Sequence, residues 1–347
     1  MKNGYFTPLA LLAGLSAPAL AQEYGVIFEH KDWEVVCDNT LACRAAGYST
    51  EDDATGSVLL TREAGPSTLV TGQVRLAEEG TSPAKVTMWV DGQPSGELKP
   101  LKDDRWQLSD AQTRKVITAV KGSGRVEFTG GEKPFVLSGS GANAVFLKMD
   151  ASQGRLDSPG ALIKQGKRPE SGVFPALEAP VIQRVKVNAI QERPLTALEI
   201  AALKPKLLAA QRKDEECELL ASPSEFAQPG DNDIILTPVD DHHVLLSTLC
   251  WRAAYNEGYG YWVMDSALKG APDLITTSGL SYVDGVIAQA HKGRGLADCM
   301  FTAEWVWDGK TFAHSREART GMCRYIRTGG TWDLPTFVTD VRLAGEK

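Results

Sequence analysis

The stretch Lys31–Tyr48, KDWEVVCDNTLACRAAGY, sets Cys37 and Cys43 six positions apart inside an apolar pattern. Trp33, Val35 and Cys37 share one parity, as a half-buried strand requires. Two thiols at this distance could form a metal clip, a redox pair or a structural disulfide. Zinc sites present close ligand pairs, and thiol redox centres use Cys-x-x-Cys. Neither pattern is present. The chain carries six cysteines, at 37, 43, 217, 250, 299 and 323. An even number in an oxidising compartment reads as a disulfide framework. Chain order suggests 37–43, 217–250 and 299–323, although six cysteines allow fifteen connectivities and only the local pair is fixed by proximity. Closing such loops contributes roughly 2–3 kcal/mol each in the chain-entropy picture.

The opening residues supply the compartment. Lys2 precedes a mostly apolar run from Tyr5 to Leu15, and Ala19-Leu20-Ala21 has the small-x-small form of a signal peptidase site. The run is about a dozen residues, short of the roughly 20 needed to span a bilayer, and no later segment approaches that length. Gln22, not cysteine, follows the cleavage site, which excludes lipoprotein anchoring. The expectation is a leader over 1–21 and a periplasmic or secreted mature chain. Losing Lys2 takes the formal net charge from −7 to −8. An acidic balance argues against nucleic acid or an anionic membrane surface, since both reward clustered cations. Oligomeric state is not legible.

A mature chain of about 325 residues accommodates two domains. The segment from Lys164 to Pro180 combines three prolines, two glycines and mixed charge without apolar periodicity. It places domain one at 23–165, a linker at 166–180 and domain two at 181–347. In the first half, strands are expected near 57–62, 69–75, 85–91, 125–128 and 134–137, with helices from Ser109-Asp110 to Lys121 and over Gly141–Gln153. In the second, Thr196 and Glu199 form a capping box for a helix that Pro205 should kink or break. Strands follow at 233–237, 243–254, 259–265, 281–283, 286–291, 299–307 and 311–316. Asp284-Gly285 and Asp308-Gly309 carry hairpin-turn chemistry. The fold class is therefore α+β: two disulfide-braced domains, each a mostly antiparallel sheet with one or two packed helices, the second a single meander.

Chemistry is sparse. Gly139-Ser140-Gly141-Ala142-Asn143-Ala144 matches G-x-G-x-x-A but lacks the βαβ context of a dinucleotide site, so small residues letting a helix start against a sheet is the better reading. His242 and His243 in VDDHHV point to opposite faces if extended, and would need His291 or His314 to complete a metal site. Asp231 and Asp233 have calcium-like spacing without the downstream glycine and glutamate. The acid pairs Asp52-Asp53 and Glu78-Glu79 read as solvated loops. There is no G-x-S-x-G, H-E-x-x-H or phosphate loop, and no cofactor motif. The most suggestive feature is aromatic: CWRAAYNEGYGYW groups Trp251, Arg252, Tyr255, Tyr259, Tyr261 and Trp262 around a turn. Such rings could stack on sugar faces or anchor a protein contact; cross-strand packing is the competing reading.

Several segments together resemble an exported proteobacterial family catalogued as a domain of unknown function. They are Asp32-Trp33-x-Val35-x-Cys37 with Cys43-Arg44-Ala45-x-Gly47-Tyr48, Met149-Asp150-x-x-Gln153-Gly154-Arg155, and Gly293-Arg294-Gly295-x-x-Asp298-Cys299. Trp305-x-Trp307-Asp308-Gly309-x-x-Phe312 and Trp332-x-Leu334-Pro335-Thr336-x-Val338 complete the set. The first domain also resembles the invasion-associated locus B proteins. Neither resemblance carries a catalytic residue; both imply an envelope or host-contact role. The sequence thus points to a non-catalytic periplasmic protein that binds an envelope protein or glycan. A cell-wall or peptide hydrolase working through Asp240–His243, with or without metal, and an inhibitor of secreted enzymes are the alternatives.

Overall fold

Cys37 and Cys43 close a hairpin in which they face each other across the ladder, bonded as a disulfide. Asp38 holds the connecting turn: its carboxylate accepts from the Thr40 amide at 2.9 Å, the Thr40 hydroxyl at 2.5 Å and Arg44 at 2.8 Å. The computed structural model describes residues 25–77, 83–187, 191–223 and 228–345. The expected leader over 1–21 and the Glu78-Glu79 pair lie outside the described residues.

Around this hairpin runs an antiparallel seven-stranded sheet, ordered Val26–His30, Trp33–Cys37, Cys43–Tyr48, Gly56–Arg62, Val70–Leu76, Trp106–Leu108 and Lys99–Pro100. A four-stranded sheet, Phe135–Leu137, Val126–Thr129, Thr87–Val90 and Gln93–Glu97, packs beside it. Helix α1 (Asp110–Lys121) begins at a Ser109–Gln112 capping box, and helix α2 (Ala142–Ser152) follows Gly141. Val116, Val120, Val145, Phe146 and Met149 from these helices join Trp33, Val35 and Leu60 in one core. Trp33 meets Phe146 edge-on at 5.1 Å.

The alternation in Trp33–Cys37 predicts one buried face, yet all five residues are buried. The other face is covered by the end of the chain: Val36, Ala46, Tyr48 and Leu59 pack against Ile326, Trp332 and Leu334. Polar groups tie this seam. Trp332 Nε1 donates to Ser57 Oγ at 2.7 Å, Arg75 donates to the Thr331 carbonyl at 2.9 Å, and Met322 N donates to Glu34 Oε1 at 2.7 Å. Residues 166–180 run against the first half, where Phe174 N donates to the Gln153 carbonyl and Leu177 N to the Thr40 carbonyl.

The second half departs from the single meander expected. Two five-stranded antiparallel sheets form instead. The middle sheet is ordered Arg193–Pro194, Ile235–Pro238, His243–Arg252, Glu257–Asp265 and Asp273–Gly279; the C-terminal sheet is Ser281–Val283, Val286–Lys292, Met300–Trp307, Phe312–Arg319 and Leu334–Val338. The chain crosses between them at Gly279–Leu280, because Val239, Leu245, Tyr261 and Ile275 of one sheet bury against Ile287, Trp307 and Phe312 of the other. Helices α3 (Ala197–Ala209) and α4 (Glu218–Ala221) cover the outer face of the middle sheet through Leu203, Leu207 and Leu220. The capping box of α3 is present, but Pro205 lies inside an uninterrupted helix. Asp284-Gly285 makes the two-residue turn, with positive φ at both positions. Asp308-Gly309 opens a four-residue connection in which Asp308 accepts from Lys310 N and Thr311 N. A parallel ribbon, Val181–Arg184 with Asp340–Leu343, joins the start of this half to its end.

All six cysteines pair in chain order, and none is free among the described residues. The fold is β-rich, mostly antiparallel, with few helices. No helix among the described residues is long and apolar enough to cross a membrane.

Candidate functional site

The aromatic turn is real as a hairpin tip, but its rings diverge. Trp262 is fully buried under helix α3, and Tyr261 is buried between the two sheets. Tyr259 is half-buried against the same inter-sheet core. These three serve packing; Tyr261 and Trp262 are buried, which corrects their assignment as ligand contacts. The reason is strand parity: alternate residues of Glu257–Asp265 enter two different cores. Trp251 is half-buried, donates from Nε1 to the Thr277 carbonyl at 3.0 Å and meets His291 edge-on at 5.1 Å.

Tyr255 and Arg252 remain at the surface, and both line a cavity of about 330 Å³ with Asn256, Leu280, His291 and Lys292. Tyr255 is 46% exposed. The cavity is pinned by side chains that imitate backbone pairing. Asn256 donates to the Lys292 carbonyl and accepts from Lys292 N, both at 2.9 Å, fastening the hairpin tip to the C-terminal sheet. His291 Nε2 lies 3.2 Å from the Glu257 carbonyl, and burial lowers its pKa, which favours the neutral ring. Arg252 contacts Asp231 at 2.7 and 3.0 Å and Glu257 at 3.0 Å. Arg252 in turn holds the Asp231 carboxyl below its usual range. Its positive charge is therefore locally answered by two carboxylates.

The other candidates resolve into structure. Asp240 accepts from His242 N and His243 N at 2.8 Å and from His243 Nδ1 at 2.9 Å, which ties one turn together. His243 pairs with Asp265 at one end of the hairpin and Arg252 with Glu257 at the other, so His291 is roughly 30 Å from His243 at the usual rise of a strand. No group of three or more potential ligands forms among the described residues. Asp231 is held by Arg252 rather than gathered with Asp233. At Gly141 a Cβ would fall 1.9 Å from the His30 carbonyl oxygen, so the G-x-G-x-x-A run is close packing of a helix start.

The Met149–Arg155 motif is also architectural. Gln153 donates to the carbonyls of Leu41 and Arg62, and the fully buried Arg155 donates to Gln153 Oε1, Gly65 O and Thr68 Oγ1 at 2.6–2.8 Å. Asp150 accepts from Leu162 N and Ile163 N, fixing the segment after α2.

The sequence matches "Protein of unknown function (DUF1176)" over residues 27–339. The chain belongs to that family. It is similar to the "Uncharacterized protein YpfG" of Escherichia coli (strain K12), 26% identical over 326 residues that span 84% of this chain and 87% of the relative. No solved structure matches it.

Sequence reasoning missed a second, larger cavity of about 430 Å³, lined by Thr277, Ser278, Gln289, Phe301, Trp305 and His314 among others. Phe301, Ala303 and Trp305, alternate residues of Met300–Trp307, share one wall of it. The strand Asp273–Gly279 that supplies the facing hydroxyls was not expected.

Proposed function

We propose that the protein is a non-catalytic binding protein of the periplasm or cell exterior, and that its ligand is a neutral envelope glycan seated at the Tyr255 cavity. The reading rests on one observation: a half-exposed ring beside a cavity whose arginine is already paired with two carboxylates. An aromatic face with compensated charges suits a sugar ring, whose C–H face stacks and whose hydroxyls take polar contacts. The three disulfides support an oxidising compartment. We read residues 23–165 and 181–347 as two units joined by the Tyr48–Trp332 seam, with only the second carrying the site. An envelope or host-contact role belongs to the same proposal.

The test is titration of the oxidised protein with the β-1,4-linked disaccharide of N-acetylglucosamine, followed by Trp251 fluorescence and by NMR shifts at Asn256 and His291. Binding is expected, and Tyr255→Ala should weaken it about tenfold, the loss of one stacked ring. Absence of any shift up to tens of millimolar ligand, or equal affinity in Tyr255→Ala, would reject the glycan site.

A further inference from the structure

We infer that the two cavities are subsites of one groove that holds a linear neutral saccharide chain; this deepens the Tyr255 reading and rests on it. The groove follows the seam where the middle and C-terminal sheets meet. Asp273–Gly279 leads directly into that seam, and Leu280 N, donating to the Ala288 carbonyl at 2.7 Å, starts the pairing of Ser281–Val283 with Val286–Lys292 in the C-terminal sheet. Ser278 and Gln289 line the larger cavity, whereas Leu280 and His291, each two positions further along, line the smaller one. Two strand residues advance roughly 7 Å, so the two mouths are offset by little more than one sugar unit.

A chain of contacts links the two linings. Trp251 donates to the carbonyl of Thr277, which lines the larger cavity, and meets the ring of His291, which lines the smaller. His291 also pairs with Phe301 across the ladder, and Phe301 lines the larger cavity, so the two linings abut at this point. The larger cavity also repeats the chemistry of the smaller. Phe301, 47% exposed, and Trp305 give it aromatic faces, while Ser278 and Gln289 give it hydrogen-bonding groups. Its arginines are committed in the same way: Arg319 to Glu29 at 2.5 Å and to Glu34 at 3.5 Å, and Arg212 to Glu215. Two adjoining cavities with rings, amide and hydroxyl groups, and arginines already answered by carboxylates fit a hydroxyl-rich ligand longer than either cavity alone.

The experiment compares the disaccharide and tetrasaccharide of β-1,4-linked N-acetylglucosamine by calorimetry on wild type, Tyr255→Ala, Phe301→Ala and Gln289→Ala. A second occupied subsite should make the tetrasaccharide bind at least tenfold tighter than the disaccharide. Phe301→Ala and Gln289→Ala should each reduce the tetrasaccharide toward the disaccharide value while leaving the disaccharide unchanged; both are surface-facing, and Gln289→Ala removes no ring from the fold. Equal affinity for the two lengths, or indifference of the tetrasaccharide to both substitutions, overturns the shared groove while disaccharide binding lost in Tyr255→Ala keeps the Tyr255 site. Failure of both lengths to bind overturns both proposals.

Discussion

Arg155 tests whether the Met149–Arg155 motif is scaffold rather than site. The side chain is fully buried, and burial together with the nearby Arg62 lowers its pKa to about 10. It donates to Gln153 Oε1 at 2.8 Å, Gly65 O at 2.6 Å, Thr68 Oγ1 at 2.6 Å and Glu63 O at 3.2 Å. Arg155→Ala leaves these acceptors facing a cavity in place of their donor. Each orphaned buried group costs about 1–3 kcal/mol, and water entering the space recovers part of that. The net loss should be about 3–5 kcal/mol, the range seen when one partner of a buried ionic network is removed. Arg155→Lys should fall between, since an ammonium cannot span acceptors arranged for a planar fork. Urea unfolding of the oxidised protein at pH 7 reads the loss as a fall of about 1–2 M in midpoint at the usual slopes for larger chains. Residues 157–172 should become the first site of proteolysis, because their anchors pass through Arg155 and Asp150. A loss below about 1 kcal/mol, with unchanged cleavage, would refute a structural role.

Glu34 carries a pH signature. It is buried at the seam, where burial raises its pKa despite Arg319 and the Tyr48 hydroxyl at 2.6 Å. A carboxyl whose folded pKa is raised contributes stability at low pH that fades as pH climbs through the folded value. Relative to wild type, Glu34→Gln should therefore gain stability progressively from the ordinary carboxylate range toward neutrality, measured as the difference between two urea series; a difference flat in pH counts against it. Gly141→Ala, at φ +101° with its Cβ 1.9 Å from the His30 carbonyl oxygen, should cost about 2–4 kcal/mol by the same assay. At the rim of the groove, Gly293→Ala would set a methyl 2.7 Å from Cys299 Sγ, whereas Gly295→Ala meets Tyr255 at an ordinary 3.7 Å. The first should lower the melting temperature and saccharide affinity, and the second should leave both near wild type. Replacing Cys217 and Cys250 together by serine should cost roughly 3–4 kcal/mol, more than the same change at Cys37 and Cys43, whose loop spans 6 positions rather than 33.

Local chemistry was the legible part. The Thr196–Glu199 box, the Asp284-Gly285 turn and the start of α1 at Ser109 all act within a few residues, so the sequence states them directly. What it could not state were contacts made across hundreds of positions. Nothing in Trp33–Cys37 announces that Val36 will meet Trp332, so a strand buried on both faces looked half-buried. Pro205 reads as a break because it lacks an amide, yet Leu203 and Leu207 on either side of it are buried against the middle sheet, and that packing keeps the helix intact. The site was legible only in outline. The turn around Tyr255 was visible as a cluster of rings, but parity within Glu257–Asp265 sends Tyr261 and Trp262 into separate cores, and a residue count cannot tell a packed ring from an exposed one.

Why a groove should lie at this seam follows from the sheets themselves. Strands twist, so two sheets packed face to face fill the space between them at the centre and splay toward their corners. Here Tyr261, Ile275, Ile287 and Trp307 fill the centre. At the corner beyond Gly279 the ladders can no longer meet. There the Asn256 side chain takes over the pairing, bonding to both backbone groups of Lys292. The Asn256 side chain thus ties together two sheets that share no backbone ladder. The space opened by that separation has to be lined by whatever the two edges present, and they present Tyr255, Phe301 and Trp305 with hydroxyls and amides between them. The Cys299–Cys323 bridge and the Arg294–Asp298 pair at 2.5 Å brace the neighbouring loop. Rigid rims around an unfilled corner keep it open, which is the physical requirement for a preformed binding groove.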